Sequence, residues 1–141
     1  MAAWATTSSL TQAKYRMGGC GTISAALCFG GYTGAKVATT EIWNGSAWAT
    51  TSSLTQAKSG IGGCGTTSAA LCFGGYANAI VATTEIWNGT AWATTNSLTQ
   101  AKYSIGRCGT TSAALCFGGY TGAAVATTEI WNGSAWATTS S

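Results

Sequence analysis

Cys28-Phe29-Gly30-Gly31-Tyr32, a variable insert at 33–36, and then Val37-Ala38-Thr39-Thr40-Glu41-Ile42-Trp43-Asn44-Gly45-Ser46-Ala47-Trp48 form the stretch that decides how this chain is read. It returns from Cys72 to Trp92 and again from Cys116 to Trp136, a period of 44 residues. Repetition on that scale means stacked supersecondary units, each dependent on its neighbours to bury its apolar face. Working outward, Leu10-Thr11-Gln12-Ala13-Lys14 is a polar connector repeated at 54–58 and 98–102. Ala3 to Ser9 matches 47–53 and 135–141 and differs by one Asn from 91–97, so there are four copies of this segment and three of everything else.

Each repeat reads as four short antiparallel strands, a to d. Strand a is rich in glycine (Gly18-Gly19-Cys20-Gly21), which leaves room for another backbone to approach. A two-residue turn at Ile23-Ser24 sets Cys20 opposite Leu27, so the two cysteines of a repeat face opposite ways and cannot bridge within that hairpin. Strand b, Ala25 to Phe29, stops at Gly30-Gly31, and the insert that follows differs most between repeats, as an exposed loop tip does. Strand c, Val37 to Trp43, is β-branched and aromatic. Asn44-Gly45 then predicts a two-residue type I′ hairpin into strand d, with Glu41 opposite Trp48. With no proline and no helical periodicity, the expected fold class is all-β.

Three recurring features together resemble the kelch motif of β-propellers. They are the double glycine after an apolar strand (Gly30 and Gly31, Gly74 and Gly75, Gly118 and Gly119), the glutamate two residues before an aromatic (Glu41 and Trp43, Glu85 and Trp87, Glu129 and Trp131), and the second tryptophan past the turn (Trp48, Trp92, Trp136). The likeness runs through all three repeats, with Trp43-Asn44 where kelch units carry Tyr-Asp and with a tighter c–d turn. It implies three four-stranded blades, residues 10–53, 54–97 and 98–141, with 1–9 as a surplus outer strand. A β-trefoil monomer, which also has three four-stranded repeats, is the alternative, although its Gln-x-Trp signature is missing.

Three blades do not close a ring, and two bare blade faces make a larger apolar patch than soluble monomers carry. The expected partner is a second copy of the chain. A homodimer about a twofold axis completes six blades, a count the kelch resemblance implies, with an interface of roughly 2,000 Å² or more. A homotrimer of nine blades is the alternative. Segments 3–9 and 135–141 are identical in sequence, so both fit the outer edge of a partner's last blade and one is expected to be displaced in the ring.

Composition narrows the function classes. Hydrophobic residues make up 46% of the 141, enough for a packed core, while charged residues are 6% and give way to Thr, Ser, Ala and Gly. The net charge of +3 is the balance of six basic and three acidic residues, and the basic ones are scattered, so a basic footprint for nucleic acid is missing. No apolar window is long enough for a membrane-spanning helix. Met1 to Thr6 carries neither a basic nor an apolar signal-like region, so no export signal is expected and the compartment stays open. Six cysteines, spaced eight apart within each repeat and without any histidine, suit buried free thiols rather than a zinc site.

No catalytic residue, metal site or cofactor is expected, since there is no histidine base and no G-x-S-x-G motif. Each repeat holds one glutamate (Glu41, Glu85, Glu129) and one connector lysine (Lys14, Lys58, Lys102), read as a structural tie between strand c and a neighbouring segment. Carboxylates on outer strands of separate blades do not converge for glycosidase work. The tryptophans flank a tight turn, where burial between blades is the expected role and an exposed sugar platform the other. Kelch-like propellers present binding surfaces on their b–c and d–a loops, here Tyr32, Lys36, Tyr76 and Tyr120 with Tyr15, Arg16 and Tyr103. The expected function is a self-assembling structural protein without catalysis. A multivalent carbohydrate- or protein-binding module is the alternative.

Overall fold

A computed structural model describes residues 3–139. Among the described residues there are twelve strands and no helix. The first sheet holds β1 (Gly18–Gly21), β2 (Ala26–Phe29), β3 (Thr40–Trp43) and β4 (Trp48–Thr51). The second holds β5 (Gly62–Gly65), β6 (Ala70–Phe73), β7 (Thr84–Trp87) and β8 (Trp92–Thr95). The third holds β9 (Gly106–Gly109), β10 (Ala114–Phe117), β11 (Thr128–Trp131) and β12 (Trp136–Thr138). Each sheet is antiparallel, with its strands side by side in chain order, and draws all four from one repeat.

The first hairpin has the register that a turn at Ile23-Ser24 dictates, with Cys20 opposite Leu27 and Gly19 opposite Cys28. The hairpin between β3 and β4 departs from the expected two-residue turn. Trp43 pairs with Trp48 and Glu41 with Thr50, so the loop runs from Asn44 to Ala47. The cause is the Asn44 side chain, whose Oδ1 accepts hydrogen bonds from the amides of Ser46 and Ala47, both at 2.9 Å. A type I′ turn needs left-handed backbone at both central residues, and only Gly45 (φ +96°) adopts it. The slip is two residues, an even number, so each side chain of β4 keeps its face. Strand c also starts later than expected, at Thr40. Val37 N–H bonds Gly31 C=O and Gly30 N–H bonds Thr39 C=O, both at 3.0 Å, so this segment ties down the glycine pair instead of extending the ladder.

The core lies between sheets. Leu27 and Phe29 of the first sheet pack with Leu54, Ile61, Cys72, Trp87 and Trp92 of the second repeat. Leu71 and Phe73 of the second sheet meet the equivalent set from the third, Leu98, Ile105, Cys116, Trp131 and Trp136. The glycine-rich strands β1, β5 and β9 pack in sequence, β1 on β5 and β5 on β9. At Gly63 the approach is so close that a Cβ would lie 2.5 Å from the Phe29 ring.

Residues 3–9 join no strand and are exposed, with Trp4 fully open to solvent. Residues 136–138, from the copy of the same sequence at 135–141, form β12 against β11. Ser140 and Ser141 of that copy lie outside the described residues, as do Met1 and Ala2.

Candidate functional site

The three lysine–glutamate pairs come together as sequence spacing anticipates, one inside each repeat. Lys14 Nζ lies 3.3 Å from Glu41 Oε1, Lys58 Nζ 3.5 Å from Glu85 Oε1 and Lys102 Nζ 3.2 Å from Glu129 Oε1, with side-chain exposures of 0–1%. The second carboxylate oxygen of each accepts the amide N–H of Thr11, Thr55 or Thr99 at 2.6 Å. Burial opposes the negative charge on Glu41. The Thr11 amide and hydroxyl and the Lys14 ammonium outweigh it and hold the carboxyl below its ordinary value. Each lysine also donates to a threonine hydroxyl, that of Thr39, Thr83 or Thr127. Those hydroxyls donate in turn to Gln12, Gln56 and Gln100 Oε1 at 3.0 Å. A buried pair of this kind, hydrogen-bonded through Oε2 and held by charge at Oε1, braces a connector against β3, β7 or β11, and its carboxylate is closed to substrate.

The cysteines are free thiols. Burial pushes Cys72 and Cys116 up to about 12 and Cys64 up to about 11, so these thiols stay protonated at neutral pH. Uniform burial does not hold, however: Cys20 is half-buried and Cys108 exposed. Among the described residues no group of three or more Cys, Asp or Glu side chains is placed to hold a metal ion.

The candidate loop residues gather at one end of the molecule. Tyr15 and Tyr32 meet edge to face at 5.5 Å, as do Tyr103 and Tyr120, while Tyr76 meets Tyr103 at 6.0 Å. Lys36 Nζ sits 4.8 Å from the centre of the Tyr76 ring, and the Arg16 guanidinium 5.7 Å from that of Tyr15. A groove of about 610 Å³ opens between the first two repeats, lined by Tyr32, Lys36, Gln56 and Asn78 among others. Loop residues 16, 60 and 104 also link the repeats through their backbones. Gly60 N–H bonds Arg16 C=O at 2.7 Å and Ser104 N–H bonds Gly60 C=O at 2.8 Å, with Arg16, Gly60 and Ser104 all left-handed.

The two joints between sheets are copies of one another. Trp92 Nε1 donates to Thr40 Oγ1 at 3.0 Å, and Trp136 Nε1 to Thr84 Oγ1 at 3.1 Å. Their rings rest on Phe29 and Phe73, with centroids 4.8 Å apart in both cases. Gly31 N–H bonds Lys58 C=O, and Gly75 N–H bonds Lys102 C=O.

The outward faces hold the same parts without the same cover. On the third sheet Phe117 is 42% exposed, where Phe29 and Phe73 are 0%. Ile130 beside it is 45% exposed, and a shallow apolar cavity of about 240 Å³ is lined by Leu115, Ile130 and Cys108. On the first sheet Trp48 is half-buried, where Trp92 and Trp136 are each at 6%. It borders a cavity of about 400 Å³ with Leu10 and Met17, the counterparts of Leu54 and Ile61. Neither Trp48 Nε1 nor Thr128 Oγ1 has a hydrogen-bond partner among the described residues.

No protein-family model matches the chain, and no curated protein is significantly similar to it. Sequence reasoning missed the threonines that cap the glutamates and those that receive the indole N–H. Their recurrence at 11, 55 and 99 and at 40, 84 and 128 is the signal that could have found them.

Proposed function

We propose that this chain is a self-assembling structural protein, built of kelch-like propeller blades, whose two open faces join those of a second copy into a six-bladed ring. The observation that carries this reading is the match between the open faces and the closed joints. Phe117 and Thr128 stand where Phe29 and Thr40 receive Trp92, and Trp48 stands where Trp92 makes that contact. Twofold symmetry brings the two half-joints together twice, with Leu10 and Met17 closing over Gly118 as Leu54 and Ile61 close over Gly30. Strand pairing confined to single repeats supports blades over a trefoil, whose barrel pairs strands between repeats. The uncovered Phe117 supports the same choice, because a threefold monomer covers its three repeats alike. In the ring, 3–9 is the surplus copy of strand d, since 136–138 already fills the outer edge of the third sheet. The reading assigns no reaction to the chain.

Sedimentation equilibrium tests it. The expected species contains two 14.1-kDa chains, and Trp48→Ala and Thr128→Val shift it toward the single chain without loss of β-sheet signal. A trimer points to nine blades, and a single chain at every concentration overturns the assembly.

A second reading has one observation in its favour, the groove lined by Tyr32, Lys36, Gln56 and Asn78. An aromatic face with amides and an ammonium group suits a sugar, so carbohydrate binding at this end is the alternative function. Titration with representative neutral and acidic oligosaccharides, followed by chemical shifts of Asn78 and Gln56, tests it, and silence across all of them removes it.

A further inference from the structure

One residue breaks the repeat within the glycine-rich strands β1, β5 and β9. Gly19 and Gly63 occupy one position of strand a, and the third repeat places Arg107 there. Its side chain is exposed, and Nη1 donates to the backbone oxygen of Ile105 at 3.1 Å. From β9 it extends to the open face of the first sheet, where it shares the cavity wall with Met17, Gly19 and Cys28. The arginine therefore reaches from the third repeat to the first.

The charge at this position is unusual. The sequence has three acidic side chains and six basic ones. Glu41, Glu85 and Glu129 are each taken by a buried lysine. Arg16, Lys36 and Arg107 remain without a carboxylate among the described residues, and Arg107 alone of these lies on an inner strand.

Resting on the six-bladed reading above, we infer that ring closure creates a binding site for a small doubly charged oxyanion, such as sulfate or phosphate, between Arg107 of the two chains. In a six-bladed ring with twofold symmetry the third blade faces its own copy across the central channel. The two Arg107 side chains then cross that channel, surrounded by glycine backbone and without a neutralising side chain. Two guanidinium groups in that setting repel unless an anion lies between them, and their planar donor forks suit a tetrahedral oxyanion. Neither chain forms the site alone, so the anion couples directly to assembly.

The test is sedimentation equilibrium of the full chain in sodium chloride and in sodium sulfate at matched ionic strength, with equilibrium dialysis of labelled sulfate alongside. The expected result is a dimer dissociation constant lowered about tenfold by sulfate, the scale of one added hydrogen bond to a charged group, with one sulfate retained per two chains. Arg107→Gly restores the residue of the other two repeats. Its dimer tightens in sulfate only by the general strengthening of apolar burial and retains no bound sulfate, whereas Arg16→Ala keeps the full response. That pair of variants separates a specific site from the general strengthening of apolar burial by sulfate. A wild-type dimer indifferent to sulfate refutes the anion site and leaves the ring standing. A sulfate response of undiminished size in Arg107→Gly also refutes it. A single chain in both salts overturns the ring reading and the site with it.

Discussion

Lys58 Nζ lies 3.5 Å from Glu85 Oε1, with both side chains closed to solvent. Oε1 receives no aligned hydrogen bond there, so the attraction across this contact is chiefly between the two charges. Oε2 is bonded separately by the Thr55 amide. Removing one charge leaves the other buried and unmatched, which costs about 3–5 kcal/mol. Lys58→Met is therefore expected to lower the stability of the chain by that amount in urea denaturation. Adding Glu85→Gln, which keeps an acceptor for Thr55 but drops the charge, recovers most of the loss. A double variant no more stable than the single one contradicts this account of the pair.

Acid acts on the equivalent pair in the first repeat. The folded chain holds Glu41 below its ordinary value of 4.5, so the unfolded chain takes up the proton first as pH falls. The stabilisation from this carboxylate is complete above that ordinary value and is lost as pH drops through the lower folded value. Urea midpoints measured downward from neutral pH should hold steady and then decline through the acid range. Glu41→Gln should flatten that decline in part.

The same substitution at two equivalent glycines should have different consequences. Gly74 and Gly118 share a left-handed backbone (φ +63°), but a Cβ at Gly74 would lie 2.5 Å from the Lys102 oxygen, and at Gly118 its nearest neighbour would be 3.5 Å away. Gly74→Ala combines backbone strain with a clash and is expected to cost about 2–4 kcal/mol of folding stability. Gly118→Ala carries only the backbone cost, about 1–2 kcal/mol. In the proposed ring the added methyl of Gly118→Ala meets the partner copy, so it should weaken dimerisation well beyond its effect on folding. Equal effects of Gly118→Ala on folding and on assembly would contradict the joint.

Thiol chemistry reports on the same face. Cys108 is exposed and should react promptly with a soluble disulfide reagent, while Cys72 and Cys116, buried and held protonated, react only on unfolding. As the chain concentration rises through self-association, the Cys108 rate should fall toward that of Cys64, its counterpart beneath the next sheet. A rate independent of concentration, in a sample shown to dimerise, places the interface elsewhere.

The features that local chemistry controls were legible in the sequence. The 44-residue period, four strands per repeat and the register of Cys20 against Leu27 depend on turns and on residues close in the chain. The β3–β4 loop was misread because the Asn44 side chain competes with the Asn-Gly backbone preference, and such a bond leaves little trace in residue type. The connectors read as polar surface, yet their lysines are fully buried, because the charge that compensates each one comes from a strand 27 residues further on.

By itself, then, the amino-acid order determined the unit: its strands, its turns and the positions where glycine must stand. Tertiary structure decided how units meet. The bond from Trp92 to Thr40 spans 52 residues, and the exposure of Phe117 beside the burial of Phe29 and Phe73 separates three side chains in almost identical local sequence. A repeated sequence offers every repeat the same contacts, and only the arrangement in space determines which of them are filled.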